Sequence, residues 1–137
     1  MFQREITVMA DVKNLEAVTA FVDECLERFD CSPRAQIQLD IAVDELFSNI
    51  AYYAYQPGTG EVTVQVEITG EPASAMLTFI DGGIPYDPLS HADPDTTLSA
   101  EQRQIGGLGI YMVKKSMDEV SYQYTDGKNI LKIKKRI

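Results

Sequence analysis

The sequence predicts an α/β two-layer sandwich: a mixed, mostly antiparallel sheet with its helices on one face. Three observations lead there. Two long early segments carry apolar residues at helical spacing, and the segments after them alternate apolar and polar residues with period two. The order strand, helix, helix, strand, strand, loop, helix, strand, strand leaves few of the crossovers that a parallel sheet needs. The 137 residues show no internal repeat or composition break, so residues 1–137 are expected to form a single domain. That length buries a core without disulfide or metal staples.

Phe2, Ile6 and Val8 mark an opening strand over residues 2–9. From Asp11 to Asp30, Leu15, Val18, Phe21, Val22, Cys25, Leu26 and Phe29 follow helical spacing, with Cys25 as a small core residue. Ser32 is a ready N-cap and Pro33 fits the first helical position, so a second helix starts there and runs to about Tyr55, before Pro57-Gly58. Its apolar stripe is Leu39, Ala42, Val43, Leu46, Ile50 and Tyr53. Val62, Val64, Val66 and Ile68 alternate as a half-buried strand, and Gly70-Glu71-Pro72 turns the chain into another at about 74–80. Residues 82–104, with three prolines and little periodicity, read as a long loop. Ile110, Val113 and Met117 indicate a short helix, and an Asp126-Gly127 turn joins a final hairpin whose last strand covers 130–137.

Acids outnumber bases 21 to 12, a formal charge of −9 that argues against nucleic-acid backbones and anionic membranes as partners. The longest apolar run, Ile50 to Tyr55, falls far short of the ~20 residues that span a bilayer. With two cysteines six apart, one histidine and no export signal at the N-terminus, the expectation is a reduced, cytoplasmic protein without a zinc site. The basic tail Lys128, Lys132, Lys134, Lys135 and Arg136 reads as a charged edge strand that blocks aggregation, His91 as a solvated loop residue, and Tyr52, Tyr53 and Tyr55 as packing at a helix end.

Three clusters carry chemistry. Glu45 and Asn49, four apart on the second helix, place a carboxylate and an amide one turn apart on one side, a pair able to hold a hard cation and orient a hydroxyl. Taken alone, the pair reads as a solvated flank. In Asp81-Gly82-Gly83 an apolar strand ends in an acid that can accept from an exocyclic amine, beside glycines that admit a flat ring; alone it is a polar turn. Gly106-Gly107-Leu108-Gly109 opens a helix whose unpaired N–H groups suit phosphate; alone it reads equally as a glycine-rich helix start without a ligand. Neither a P-loop nor a dinucleotide-binding fingerprint is present.

In this order, Asp44-Glu45-Leu46-Phe47-Ser48-Asn49, Asp81-Gly82-Gly83 and Gly106-Gly107-Leu108-Gly109-Ile110 resemble the three nucleotide boxes of the GHKL (histidine kinase-like) ATPase superfamily. Pro85-Tyr86-Asp87-Pro88 and Lys115-Ser116-Met117-Asp118-Glu119-Val120 resemble its anti-sigma-factor serine kinases in particular. The resemblance implies that Asn49 ligates Mg²⁺ bridging the phosphates of ATP and that Glu45 is the base for the attacking hydroxyl. It implies that Asp81 binds the adenine amine, with Gly83 letting the base sit close. Gly107, Leu108 and Gly109 would form the phosphate-binding backbone, and residues 84–105 a lid. It further implies a protein-serine kinase that acts on a STAS-domain anti-anti-sigma protein and sequesters a sigma factor in a partner-switching system. Its family members are commonly homodimers.

Two positions depart from the family pattern. Relatives often have a basic or histidine side chain where this chain has Tyr53, and a basic residue where it has Gln104-Ile105. These motivate an alternative reading, an ATP-binding switch module without significant phosphotransfer. Between Arg34 and Lys114 the one lysine or arginine is Arg103, which is expected to contact the terminal phosphate and act in catalysis, and which reads equally as an exposed loop residue. A histidine autokinase lacks its phosphoacceptor hairpin here, and a gyrase-like ATPase would need domains that this length does not hold.

Overall fold

In a computed structural model, residues 1–90 and 107–137 are described. The elements are β1 (Phe2–Met9), α1 (Leu15–Glu27), α2 (Pro33–Tyr53), β2 (Glu61–Thr69), β3 (Ser74–Asp81), α3 (Gly107–Ser116), β4 (Glu119–Thr125) and β5 (Lys128–Arg136). The five strands form one sheet in the order β1-β2-β3-β5-β4, and every neighbouring pair is antiparallel. The expected mixed sheet is thus antiparallel throughout. The α1–α2 excursion brings the chain back to the end of the sheet it left, where Met9 of β1 pairs with Glu61 of β2.

Local signals explain most boundaries. Asp11 caps a 3₁₀ turn at Val12–Asn14, its side chain accepting from the Lys13 N–H, so α1 begins at Leu15 rather than directly after Asp11. The Ser32 hydroxyl accepts from the Ala35 N–H at 3.2 Å and Pro33 opens α2, as the sequence predicts. Asp126 and Gly127 both have positive φ, 54° and 77°, the conformation that a two-residue hairpin demands. That tight turn starts β5 at Lys128, two residues before the expected boundary.

The core lies between one face of the sheet and the helices. Val62, Val64, Val66 and Ile68 of β2 are buried while Thr63, Gln65 and Glu67 between them are only partly covered. Against the buried face lie Val18, Val22, Cys25 and Leu26 of α1 and Leu39, Ala42, Val43, Leu46 and Phe47 of α2. Phe47 is buried in the core, whereas Tyr53, expected on the core stripe, is 58% exposed because the last turn of α2 runs out past the core. The basic tail is also placed differently from expectation. β5 sits between β3 and β4, so the sheet edges are β1 and β4, and the lysines of β5 do not guard an edge.

Candidate functional site

α2 delivers the first pair. Its buried stripe presses Leu46 and Phe47 into the core, which turns the flank bearing Glu45 and Asn49 toward the sheet end and α3. The Asn49 Nδ2 donates to Glu45 Oε1 at 3.2 Å, as i, i+4 neighbours on a helix can. Burial raises the Glu45 carboxyl above its ordinary range. The Asn49 hydrogen bond pulls the other way, and the nearby Asp44 charge adds to the rise. A carboxylate so placed holds a proton more readily than a solvated one, which suits a base.

β3 delivers Asp81 at its C-terminal end, 5% exposed. Its Oδ1 accepts from the Gly83 N–H and from Asn129 Nδ2, both at 2.9 Å. Asn129 lies directly across the ladder on β5. Its Nδ2 also donates to the Ile84 carbonyl at 2.8 Å, and its Oδ1 accepts from the Tyr86 N–H at 3.1 Å and from the Tyr122 hydroxyl at 2.5 Å. Tyr55 ties this end of β3 to β2, its hydroxyl accepting from Gly82 N–H at 2.7 Å and donating to the Glu61 carbonyl at 2.5 Å. Gly83 also meets a demand of the packing. A β-carbon there would collide with the backbone of Ala54 at the end of α2, and the Ile84 N–H bonds to that same Ala54 carbonyl at 2.9 Å. The glycine lets the segment after β3 lie against the helix.

α3 delivers the glycine box. Gly107 is its first residue, Leu108 is 41% exposed, and Gly109 lies against the Glu45 carboxyl, which occupies the space that a β-carbon would need. The helix N-terminus, with its unpaired N–H groups and partial positive charge, therefore stands beside the α2 pair.

Asn49 and Asp81 line one cleft, whose walls also include Leu46, Ile50, Tyr53 and Phe79. Glu45 joins this group to Gly109, so all three clusters meet at one end of the molecule. Tyr53 lines the cleft instead of only packing the helix end. Arg103, Gly106, the Gln104-Ile105 pair, His91 and most of the expected lid lie outside the described residues. Sequence reasoning missed Asn129, Tyr122 and Tyr86. The Asp126-Gly127 turn held the signal for Asn129, because a two-residue hairpin fixes the register at once and sets residue 129 inside β5.

No group of three or more histidine, cysteine or acidic side chains that could hold a metal occurs among the described residues. A magnesium ion that arrives with phosphates needs fewer protein ligands, one or two oxygen donors sufficing. Asn49 fits that role. Its Nδ2 is spent on Glu45, leaving its Oδ1 as the hard donor.

The histidine kinase-like ATPase domain family matches residues 8–135. Among curated proteins, the chain is similar to the serine/threonine-protein kinase BtrW of Bordetella bronchiseptica, 30% identical over 100 residues that cover 73% of this chain and 70% of that protein. It is also similar to the serine-protein kinase RsbW of Bacillus cereus, 27% identical over 70% of this chain and 61% of that protein. RsbW of Listeria monocytogenes is 29% identical over 70% of this chain and 63% of that protein. The match thus spans less than two thirds of either RsbW protein. Among the described residues no helix is long and apolar enough to cross a membrane.

Proposed function

The chain belongs to the histidine kinase-like ATPase domain family, and on that footing we propose that it is a cytoplasmic ATP-dependent protein-serine kinase of a partner-switching system. One observation carries the reading. Asn49 and Asp81 line the same cleft while the Glu45 carboxyl abuts Gly109 in the first turn of α3. A nucleotide with its base at Asp81 and its phosphates toward α3 passes Asn49 on the way.

In this reading the whole chain serves as one ATPase domain. Asp81 accepts from the exocyclic amine of adenine, and the apolar walls given by Ile50, Ile84 and Phe79 cover the ring. The phosphates sit on the N–H groups of Gly107, Leu108 and Gly109. Magnesium held by Asn49 and the phosphates would neutralise charge on the transferred group. Glu45 takes the proton of the substrate serine hydroxyl as that oxygen bonds to the terminal phosphorus and ADP leaves. Its raised pKa makes it a stronger proton acceptor than a solvated carboxylate. Arg103 is proposed to meet the terminal phosphate. The substrate is a STAS-domain anti-anti-sigma protein, the sequestered partner is a sigma factor, and the working unit is a homodimer. No direct contact with nucleic acid or membrane is needed.

The test pairs two substitutions. Asn49→Ala removes Mg-dependent ATP binding measured by calorimetry. Glu45→Ala keeps binding but lowers transfer of labelled phosphate to a STAS-domain substrate by about 10²–10⁴-fold, the usual contribution of a general base. Both variants binding and transferring like the parent would refute the assignment. Tyr53 in the cleft wall supports the second reading, a nucleotide-gated module. Tight ATP binding by the parent without any labelled substrate selects that one.

A further inference from the structure

We infer that Asn129 is a positioning residue that sets which purine the cleft accepts, an inference that rests on the nucleotide reading above. Its side-chain amide is 6% exposed and saturated. Both Nδ2 hydrogens are donated, to Asp81 Oδ1 and the Ile84 carbonyl, and Oδ1 accepts twice, from the Tyr86 N–H and the Tyr122 hydroxyl. These partners also fix which way the amide faces, since only nitrogen can donate to a carboxylate and a carbonyl. With four of four positions engaged inside the protein, Asn129 has nothing left for a ligand. It acts through Asp81.

What it does there follows from counting acceptors. Asp81 Oδ1 takes two hydrogen bonds, from Gly83 and Asn129, and Oδ2 accepts from no described residue. The Asn129 amide thus holds the carboxylate by one oxygen and leaves the other oxygen as an acceptor. A pure acceptor reads an exocyclic amine and rejects an exocyclic carbonyl, which would meet it lone pair to lone pair. The same amide binds the backbone on both sides of Pro85, through Ile84 and Tyr86. The orientation of Asp81 is therefore locked to the strand-exit segment that walls the cleft.

Replacing the amide by a carboxyl inverts the logic. In Asn129→Asp two carboxyl groups face each other, and one proton is shared between them at lower pH. Asp81 then presents a donor part of the time and tolerates a carbonyl. At higher pH both groups ionise and repel, and binding of either base weakens.

The experiment measures dissociation constants of Mg-ATP and Mg-ITP, which differ at position 6 of the base (amine against carbonyl), at pH 6 and pH 8. It uses the parent, Asn129→Asp, Asn129→Ala and Tyr122→Phe, each first shown to be folded by its thermal transition. The parent is expected to prefer ATP by at least about tenfold. Asn129→Ala and Asn129→Asp should shrink that ratio by about tenfold, the Asp variant doing so more at pH 6 than at pH 8. Tyr122→Phe retains both Nδ2 bonds and should keep the ratio within about twofold. If Asn129→Ala does not fold, the Asp variant and its pH profile decide the matter. A folded Asn129 variant with the parent's ratio at both pH values, or a parent that binds both nucleotides equally, overturns the inference while leaving the ATP site standing. A parent that binds neither nucleotide overturns the nucleotide reading itself.

Discussion

Asp40→Asn should stabilise the protein at pH 8 and leave it unchanged at pH 4. Asp40 on α2 and Asp23 on α1 bring two carboxyls together between the helices, and one oxygen of each, Oδ1, is buried without a hydrogen-bond partner. Burial is the main reason that the Asp40 carboxyl is pushed up from 3.8 to about 7. Its hydrogen bond with Asp23 and the charges of Asp23 and Glu27 act in the same direction. The sign follows from proton counting. Between pH 4 and 7 the folded state holds a proton that the unfolded state has lost, so stability falls as pH rises through that window and is flat above it. At about 1.4 kcal/mol per pH decade, the displacement sets a ceiling of about 4 kcal/mol. Asp40 retains solvent access, and screening reduces the expected effect to about 1–2 kcal/mol. An asparagine keeps a donor for Asp23 and never ionises. Urea melts of both proteins should therefore coincide at pH 4 and diverge progressively to pH 7, with the variant the more stable. Glu45 also titrates in this direction, but it is common to both proteins and cancels in the difference. Parallel stability profiles from pH 4 to pH 8 would refute the reasoning.

Gly109→Ala should keep the fold and lose transfer. Its new β-carbon meets the Glu45 carboxyl, the far end of a flexible side chain that can swing away, while alanine in α3 gains up to about 1 kcal/mol of helix propensity. A thermal midpoint at or above the parent's with phosphotransfer down at least about tenfold is the expected pair of results, one unit of pKa-scale free energy being enough for it. Gly83→Ala should behave oppositely, because its β-carbon meets the rigid backbone of Ala54. A loss of about 1–3 kcal/mol in urea denaturation is expected there, with ATP affinity falling alongside it.

Much of this architecture was legible because its causes are local. The alternation at Val62, Val64, Val66 and Ile68 stated which face of β2 is buried, and Ser32-Pro33 stated where α2 begins. The residues Glu45, Asn49, Asp81 and Gly109 could be nominated, but their convergence is a property of the packed helices and the strand order. The hidden part is long-range. Asn129 stands 48 positions from Asp81 and belongs to a residue type depleted in strands; the Asp126-Gly127 turn sets it inside β5, but its pairing with Asp81 depends on the β3–β5 ladder. Likewise, a stripe drawn at helical spacing continued to Tyr53 because sequence cannot show where the core ends beneath a helix. The two glycines teach a related lesson. Gly83 was read as admitting a flat base and Gly109 as phosphate-binding backbone, and the packed chain adds a close neighbour to each, Ala54 at Gly83 and Glu45 at Gly109.

That last contact bears on how a chain with a formal charge of −9 can hold a polyphosphate. The described walls of the cleft contribute one carboxylate, Asp81, and two amides, Asn49 and Asn129, and no ammonium or guanidinium group. On the proposed reading, neutralisation comes from backbone N–H groups at the start of α3, from a divalent ion carried with the ligand, and from Arg103. Gly109 allows the Glu45 carboxyl to rest against that helix end, where the partial positive charge favours its ionised form as burial opposes it. A phosphate arriving at the same helix end would add negative charge beside Glu45 and raise its proton affinity further. On the proposed reading, with Glu45 as the base, it would thus become stronger when the group to be transferred is in place, which would couple substrate occupancy to proton abstraction without any movement of the backbone.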